Sequence, residues 1–219
     1  MSSPPSIAVI AGVGPGTGAS IALRFAKQYP VALLSRTPQN HTDLVEQINK
    51  SGGQAIGIPT DVSDRKSVES MVSAVKDKWG NDVNVAAAIF NASGKFARKP
   101  FLELEAEDMQ SGIDGTIMGA FNFSQCLLPL LLKHEKGEYP ATVVFTGATA
   151  SLKGSARFAS FAGPKFALRA MAQSLAREFG PQGVHVAHAV IDGVIDIPRT
   201  KGWDMGEGGK ISPEAFWEE

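Results

Sequence analysis

An apolar run, a glycine-rich turn and an amphipathic segment follow one another at the start of the chain. Residues 7–11 are all apolar, which is typical of a strand covered on both faces of a sheet. The turn contains Gly12, Gly14, Gly16 and Gly18. The apolar residues after it are spaced by three and four, as in a helix that packs on a sheet. This strand, turn and helix restrict the chain to folds in which helices cover a sheet.

The same alternation continues to the C-terminal part of the chain. Further strands are predicted at 31–35, 55–59, 84–90, 141–145 and 185–191, and further helices near 40–51, 66–80, 106–134 and 158–179. Because parallel strands need crossover connections, we expect an α/β fold, a Rossmann-like doubly wound parallel sheet in a single domain over residues 1–219. The predicted strand order is 3-2-1-4-5-6. We expect residues 194–219 to be a substrate loop and C-terminal tail. Within it, 202–219 is predicted to form a loop or short helix over the sheet edge, with no sheet-completing strand after it.

Composition excludes several classes of protein. The chain has 21 Lys and Arg against 22 Asp and Glu, so a strongly basic nucleic-acid binder is excluded. Its single cysteine, Cys126, cannot form an internal disulfide or a cysteine-based zinc site. His185 and His188 are three apart on a predicted strand and therefore on opposite faces, so we expect no metal site. With no membrane-length apolar run and no signal-like N-terminus, a soluble cytoplasmic protein is expected.

The glycine turn is predicted to hold a phosphate group. Glycines allow a tight turn and a close approach of the backbone to a pyrophosphate, and the N-terminus of the following helix attracts the negative charge. We therefore expect Gly12, Gly14, Gly16, Thr17 and Gly18 to bind a dinucleotide. The alternative is a purely structural glycine turn.

Several motifs in this order resemble the short-chain dehydrogenase/reductase family over roughly residues 7–199. They are Gly-x-x-x-Gly-x-Gly in the first turn, Asp61-Val62 after strand three, Asn91-Ala92-Ser93-Gly94 after strand four, and Lys165 on the helix after strand five. The resemblance implies a nicotinamide dinucleotide cofactor and a small-molecule substrate. It implies that Asp61 and Val62 flank the adenine and that Asn91 and Ala92 lie near the ribose. It also implies that the sheet lacks the family's final strand, and it leaves a homo-oligomer open.

The end of strand two predicts the form of the cofactor. In the resembled family an acidic residue there binds the ribose of NAD, whereas a basic residue binds the 2'-phosphate of NADP. This chain has Ser35-Arg36-Thr37 and no acid. A guanidinium grips a phosphate through two hydrogen bonds, so Ser35 and Arg36 favour NADP(H). A solvated surface arginine is the alternative.

The catalytic positions implied by the resemblance carry unusual residues. The family usually works with a serine, a tyrosine thirteen residues later and a lysine four residues after that, together with an asparagine on the helix after strand four. Counting from Lys165, these positions hold Ala148 and Phe161, and the asparagine position holds Thr116. Neither a methyl nor a phenyl group donates a proton, so the usual proton transfer cannot run through them.

Other groups remain as candidates for catalysis. Ser151 and Ser160 lie near the two changed positions, although a cap or loop hydroxyl is the alternative for each. Asp192 follows strand six, where ligands of such sheets bind, and Gly193 beside it is expected to contact the cofactor. Lys165 itself is a candidate proton donor, because a desolvated lysine has a lowered pKa. Arg157 is a candidate for binding an anionic substrate, and Phe96, Phe101, Phe158 and the stretch from Trp203 to Trp217 are candidates for an apolar pocket.

Three functions are compatible with these residues. The first is an NADP(H)-dependent oxidoreductase whose substrate needs little help from a general acid, such as an iminium ion. The second is a catalytically degenerate NADP(H)-binding protein that acts as a sensor or partner. The third is a redeployed site that catalyses a non-redox isomerisation or cyclisation.

Overall fold

Six parallel strands form the centre of the molecule, in the order β3-β2-β1-β4-β5-β6. The computed structural model describes residues 5–134, 139–198, 200–203 and 209–214. The strands are β1 (Ser6–Ala11), β2 (Val31–Ser35), β3 (Ala55–Pro59), β4 (Asn84–Phe90), β5 (Ala141–Thr146) and β6 (Val184–Ala189). The predicted doubly wound α/β fold and strand order are confirmed. The predicted sixth strand was too long, since β6 ends two residues earlier.

Helices cover both faces of this sheet. They are α1 (Thr17–Phe25), α2 (Thr42–Lys50), α3 (Arg65–Trp79), α4 (Ala106–Gly112), α5 (Gly119–Leu131) and α6 (Ala159–Phe179). Apolar residues of α1 and α2 pack on one face, and those of α3, α5 and α6 pack on the other. The middle strands are therefore buried on both sides, which explains why their sequences are almost continuously apolar.

Aromatic residues fill the core beneath α5. Phe90 of β4 lies 5.5 Å from Phe123 and 6.3 Å from Phe145, measured between ring centroids. All three side chains are fully buried. This packing fixes the carboxyl ends of β4 and β5 next to each other, which is the edge at which the loops described below converge.

The long helix predicted over 106–134 is interrupted. A π-helical turn, Ile113–Met118, separates α4 from α5, and α5 ends at Leu131. The reason is a close approach to the loop after β4, where a β-carbon on Gly115 would lie 2.6 Å from the Gly94 backbone nitrogen. Thr116 in this turn is buried, and its Oγ1 accepts a hydrogen bond from the Gly94 amide at 3.4 Å.

The tail differs from the predicted loop or short helix. Two short strands, β7 (Val194–Ile195) and β8 (Lys210–Ile211), pair in parallel as a separate small sheet. The Thr200 hydroxyl, which is buried, donates to the Ile195 carbonyl at 2.6 Å and tightens the turn after β7. Residues 199, 204–208 and 215–219 of the predicted tail, Trp217 among them, lie outside the described residues. Within the described parts of the chain, no helix is long and apolar enough to cross a membrane.

Candidate functional site

A cleft of about 860 Å³ opens at the carboxyl edge of the sheet. The loops after β1, β4, β5 and β6 form its walls, together with the start of α6 and the tail. Parallel strands bring their carboxyl ends to one edge, so residues far apart in sequence converge there. Among the predicted site residues, those that line the cleft are Gly12, Gly14, Thr17, Gly18, Asn91, Lys165, Asp192 and Gly193.

The glycine turn enters α1 through a tightly constrained backbone. Gly12 has φ +83°, and a β-carbon there would lie 2.5 Å from the Ala92 backbone nitrogen. A β-carbon on Gly18 would lie 2.5 Å from the Gly12 carbonyl oxygen. Asn91 fastens the same turn, because its side-chain amide donates to the Gly12 carbonyl at 3.0 Å. These two glycines are therefore required by the turn itself.

The open side of the turn faces the cleft. A β-carbon on Gly14 would meet no atom within 4 Å. Gly16 has φ +110° and directly precedes α1. The first amides of that helix have no hydrogen-bond acceptor within the helix. The tail covers part of this surface, since Ile197 Cγ2 would lie only 2.6 Å from a Gly16 β-carbon.

Lys165 brings a buried amine to the cleft. Only 5% of the residue is exposed, and its Nζ donates to the Thr146 carbonyl at 2.8 Å. Burial lowers its pKa from 10.5 to about 8, because desolvation penalises the charged form. The same Nζ lies 5.7 Å from the centroid of the Phe161 ring. The lysine therefore remains mostly protonated at pH 7 but can release its proton within a physiological range.

Four aromatic side chains form an apolar cluster on the cleft wall. Phe96 is at its centre, with ring centroids 5.6 Å from Phe158, 5.2 Å from Phe161 and 5.7 Å from Trp203. Phe96 and Phe158 were candidates from the sequence, whereas Phe101 is 74% exposed and does not line the cleft. The cluster brings three distant segments of the chain together.

Charged groups on the wall are mostly positive. The described lining residues include three cations, Arg98, Lys153 and Lys165, and one carboxylate, Asp192. The Arg98 Cζ lies 5.7 Å from the centroid of the Phe158 ring. The Asp192 carboxylate accepts a hydrogen bond of 2.5 Å from the Thr149 hydroxyl. Arg157, the sequence candidate for binding an anionic substrate, does not line the cleft. Arg98 is the arginine that lines the cleft beside Phe158.

A family-wide sequence profile decides the relationship of this chain to known proteins. The profile for short chain dehydrogenases matches residues 6–206. The chain belongs to the short-chain dehydrogenase/reductase family. Members of this family are oxidoreductases that use a nicotinamide cofactor, NAD or NADP.

Individual members of the short-chain dehydrogenase/reductase family are similar to most of the chain. An uncharacterized oxidoreductase of Staphylococcus epidermidis is 26% identical over 209 residues, which cover 95% of this chain and 86% of that protein. A short-chain dehydrogenase/reductase of Armillaria gallica is 30% identical over 196 residues, covering 88% of this chain and 72% of that protein. The crystal structure of a short-chain dehydrogenase from Rhodopseudomonas palustris is 29% identical, with a TM-score of 0.74, covering 94% of this chain and 96% of that one.

Two candidate catalytic hydroxyls lie outside the wall of this short-chain dehydrogenase/reductase cleft. Ser151 is fully buried, and its Oγ accepts a hydrogen bond from the Ala148 amide at 3.1 Å. Ser160 is also buried, and its Oγ donates to the Ala97 carbonyl at 3.2 Å. Both hydroxyls are used by the backbone, which agrees with the alternative interpretation of them as structural groups.

The residues predicted to bind the adenosine half lie at the ends of β2 and β3, beyond the cleft. Arg36 is exposed. Ser35 is buried, and its hydroxyl donates to the Thr37 carbonyl at 2.8 Å. The Asp61 carboxylate accepts hydrogen bonds from the amide and the hydroxyl of Ser63. Val62 packs against Gly119.

Sequence reasoning missed several residues of the site. Arg98, Lys153 and Thr149 line the cleft but lie in loops without a recognisable spacing. Ile195 and Ile197 also line it, and their position depends on how the tail folds back. The only signal in the sequence for these two was their apolar character in a segment rich in glycine and proline.

Proposed function

We propose that this protein is an NADP(H)-dependent oxidoreductase, working as a reductase on a small-molecule substrate that needs little proton donation. The observation that carries the proposal is that the N-terminus of α1 and the Lys165 amine open onto one cleft. A phosphate-binding turn and a buried amine on the same wall suit a nucleotide whose reactive end reaches toward the lysine.

The residues present fit a dinucleotide. Gly12 and Gly18 leave no room for side chains, and Gly14 presents bare backbone to the cleft. Gly14, Thr17 and the first amides of α1 would hold the pyrophosphate, because a helix N-terminus attracts anions. Asn91, Ala92 and Gly193 would lie along the ribose and nicotinamide. A bound nicotinamide nucleotide supplies or accepts a hydride there.

Lys165 has the role of a cation and hydrogen-bond donor in this proposal. Among the described residues its Nζ has one hydrogen-bond acceptor, the Thr146 carbonyl, and it can donate further hydrogen bonds to a ribose hydroxyl or a substrate oxygen. Asp192 lies in the loop after β6, and its carboxylate is oriented by the Thr149 hydroxyl. Both groups are available to orient a ligand within the cleft.

The proposed substrate accepts hydride without a strong general acid. By their spacing from Lys165, Phe161 and Ala148 stand where the family usually has tyrosine and serine, and neither side chain carries a transferable proton. An electrophile that is already activated for hydride addition does not need a proton from these two positions.

Arg36 supports NADP(H) over NAD(H). It is exposed directly after β2, and no acidic side chain stands there to bind ribose hydroxyls or repel a phosphate. An arginine forms charge-assisted hydrogen bonds to a phosphate dianion, and a neutral ribose edge offers no such partner.

A paired calorimetric titration with NADPH and NADH tests this proposal. We expect NADPH to bind at least tenfold tighter, which is about 1.4 kcal/mol. In Arg36→Ala the NADPH affinity should fall to near that of NADH, with NADH binding unchanged. The matched control is Arg24→Ala, which removes an exposed arginine from the last turn of α1 and should change neither affinity.

Two results would contradict the proposal. Equal affinities for the two nucleotides in the unaltered protein would remove the preference for NADP(H). Tight NADPH binding without NADPH oxidation by any substrate of the proposed kind would instead favour a sensor.

A further inference from the structure

The aromatic cluster offers flat surfaces on one side of the cleft. Phe96 meets Phe158 and Phe161 at interplanar angles of 66° and 84°, edge to face, and meets Trp203 at 35°. These rings hold one another in place, so the wall has little freedom to rearrange around a bulky aliphatic ligand. Planar unsaturated rings match such a wall because they stack on or edge into aromatic faces.

The charges on the same wall oppose a cationic ligand. Arg98 and Lys165 each lie 5.7 Å from the centroid of a ring in the cluster, Phe158 and Phe161 respectively. Lys153 also lines the cleft, and Asp192 is the one acidic residue among the described lining residues. Lys165 is buried, whereas Arg98 and Lys153 are exposed. This excess of positive charge favours an anion that forms in the cleft and disfavours an iminium ion.

The lack of hydroxyl groups at positions 148 and 161 restricts which carbonyl compounds can react. Hydride addition to a saturated ketone leaves a strongly basic alkoxide, which needs a proton at once. Hydride addition to a conjugated carbonyl compound leaves a delocalised enolate or phenolate, which is a much weaker base. Phe161 and Ala148 cannot donate a proton, but the Lys165 ammonium near Phe161 can stabilise the negative charge of that product.

We propose that the substrate is a flat conjugated carbonyl compound of the quinone class, bound against Phe96 and reduced to an oxyanion that Arg98 and Lys165 stabilise. This inference rests on the proposed function, which supplies reduced nicotinamide as the hydride donor. The hydride adds to a ring carbon conjugated with the carbonyl, and the displaced π electrons move to the carbonyl oxygen. One proton from water then neutralises the oxyanion, and tautomerisation gives the hydroquinone.

Ligand binding without turnover is the first test. After NADPH binding has been verified, the protein saturated with NADP⁺ is titrated calorimetrically with 2-hydroxy-1,4-naphthoquinone, a flat anion at pH 7, and with N-methylisoquinolinium, a flat cation of similar size. We expect the anion to bind at least tenfold tighter. Equal affinity, or tighter binding of the cation, overturns the inference.

Matched variants assign the preference to particular side chains. Arg98→Gln should weaken binding of the anion at least fivefold, whereas Arg157→Gln, which alters an exposed arginine outside the wall, should not. Phe96→Leu should weaken binding of both bicyclic ligands, and the control Phe101→Leu should weaken neither. If Arg98→Gln and Arg157→Gln bind the anion equally well, Arg98 does not have the proposed role.

Anaerobic NADPH oxidation is the second test. We expect kcat/KM for 1,4-naphthoquinone to exceed that for 1-tetralone at least a hundredfold and to exceed that for N-methyl-3,4-dihydroisoquinolinium. Faster turnover of the iminium overturns the quinone inference and leaves the proposed function intact. NADPH that binds but is not oxidised by the quinone also overturns it, whereas failure of NADPH to bind overturns the proposed function itself.

Discussion

Lys165 is almost completely buried, and its one described hydrogen bond is to the backbone. The positive charge of its amine therefore lowers the free energy of unfolding. The amine donates to the Thr146 carbonyl, and no carboxylate among the described residues contacts it. Its pKa is lowered to about 8 by desolvation alone. The pKa of His188 is also lowered, first by burial and then by the positive charges of Lys165 and Arg169.

The free energy of unfolding is expected to rise with pH because of this lysine. Below pH 8 the amine is protonated in both states, and the folded state carries the full desolvation penalty. Between pH 8 and 10.5 the folded protein releases the proton while the unfolded chain keeps it, so stability increases by about 3 kcal/mol. Urea denaturation at pH 7, 8, 9 and 10 should show this increase relative to Lys165→Met, and a constant difference between the two would contradict it.

Restoring two hydroxyls should widen the range of substrates. In Phe161→Tyr/Ala148→Ser a phenol and a hydroxyl are placed on the cleft wall beside Lys165, and the lysine favours the phenolate form. We expect kcat/KM for a saturated ketone to rise at least tenfold, as measured by NADPH oxidation. The control Phe166→Tyr adds a phenol to an exposed position of α6 and should have no effect. A stable, cofactor-binding double variant without any gain would show that other parts of the site are unsuitable.

At the level of elements, the π-helical turn between α4 and α5 is the main departure from regular structure. It lets Gly115 approach the loop that follows β4. Turns of this kind are frequent at functional sites, and here the loop leads directly to Phe96 and Arg98. The π-helical turn therefore helps to position Phe96, the central ring of the aromatic cluster.

A glycine pair tests this close approach. Gly115→Ala should lower the free energy of unfolding by about 1–3 kcal/mol, because the new methyl group would force the Gly94 backbone to move. Gly163→Ala, in an exposed position of α6 with no atom within 4 Å of the new methyl, should raise it by up to about 1 kcal/mol. Urea denaturation of both variants measures the difference, and equal effects would contradict the packing argument.

Regular elements of this fold were predictable, whereas their irregularities were not. The apolar strands and the amphipathic α3 carry strong periodic signals, and both are confirmed. The π-helical turn arises from a contact between Gly115 and Gly94, which are remote enough in sequence that no local pattern encodes it. β6 ends at Ala189, although the Thr149 amide still donates to the Ile191 carbonyl beyond the strand.

For the whole molecule, the order of the strands decides which loops meet at the edge of the sheet. This order was predicted from the sequence. The glycine turn, Asn91, Lys165 and Asp192 were expected at one edge, and they line one cleft. Trp203 and Ile197 join that cleft through the fold of the tail, for which the sequence offers no periodic signal. Arg98 was overlooked because a single arginine in a loop resembles any solvated surface charge.

Nucleotide binding should stabilise the whole fold. At a concentration 100 times its Kd, NADPH is expected to raise the free energy of unfolding by about 2.7 kcal/mol. NADH at the same concentration, if it binds tenfold more weakly, should raise it by about 1.4 kcal/mol. Urea denaturation with each nucleotide measures both values, and equal stabilisation would contradict the preference assigned to Arg36.

In the described part of the tail, apolar side chains make contacts with the rest of the molecule. Ile197 lies against Gly16 and Trp203 lies against Phe96, whereas the pairing of β7 with β8 and the Thr200 hydroxyl join the tail to itself. Local opening at such a contact costs less free energy than unfolding of the core. Sequence changes at Ile197 are therefore expected to alter the rates at which ligands enter and leave while the melting temperature stays the same.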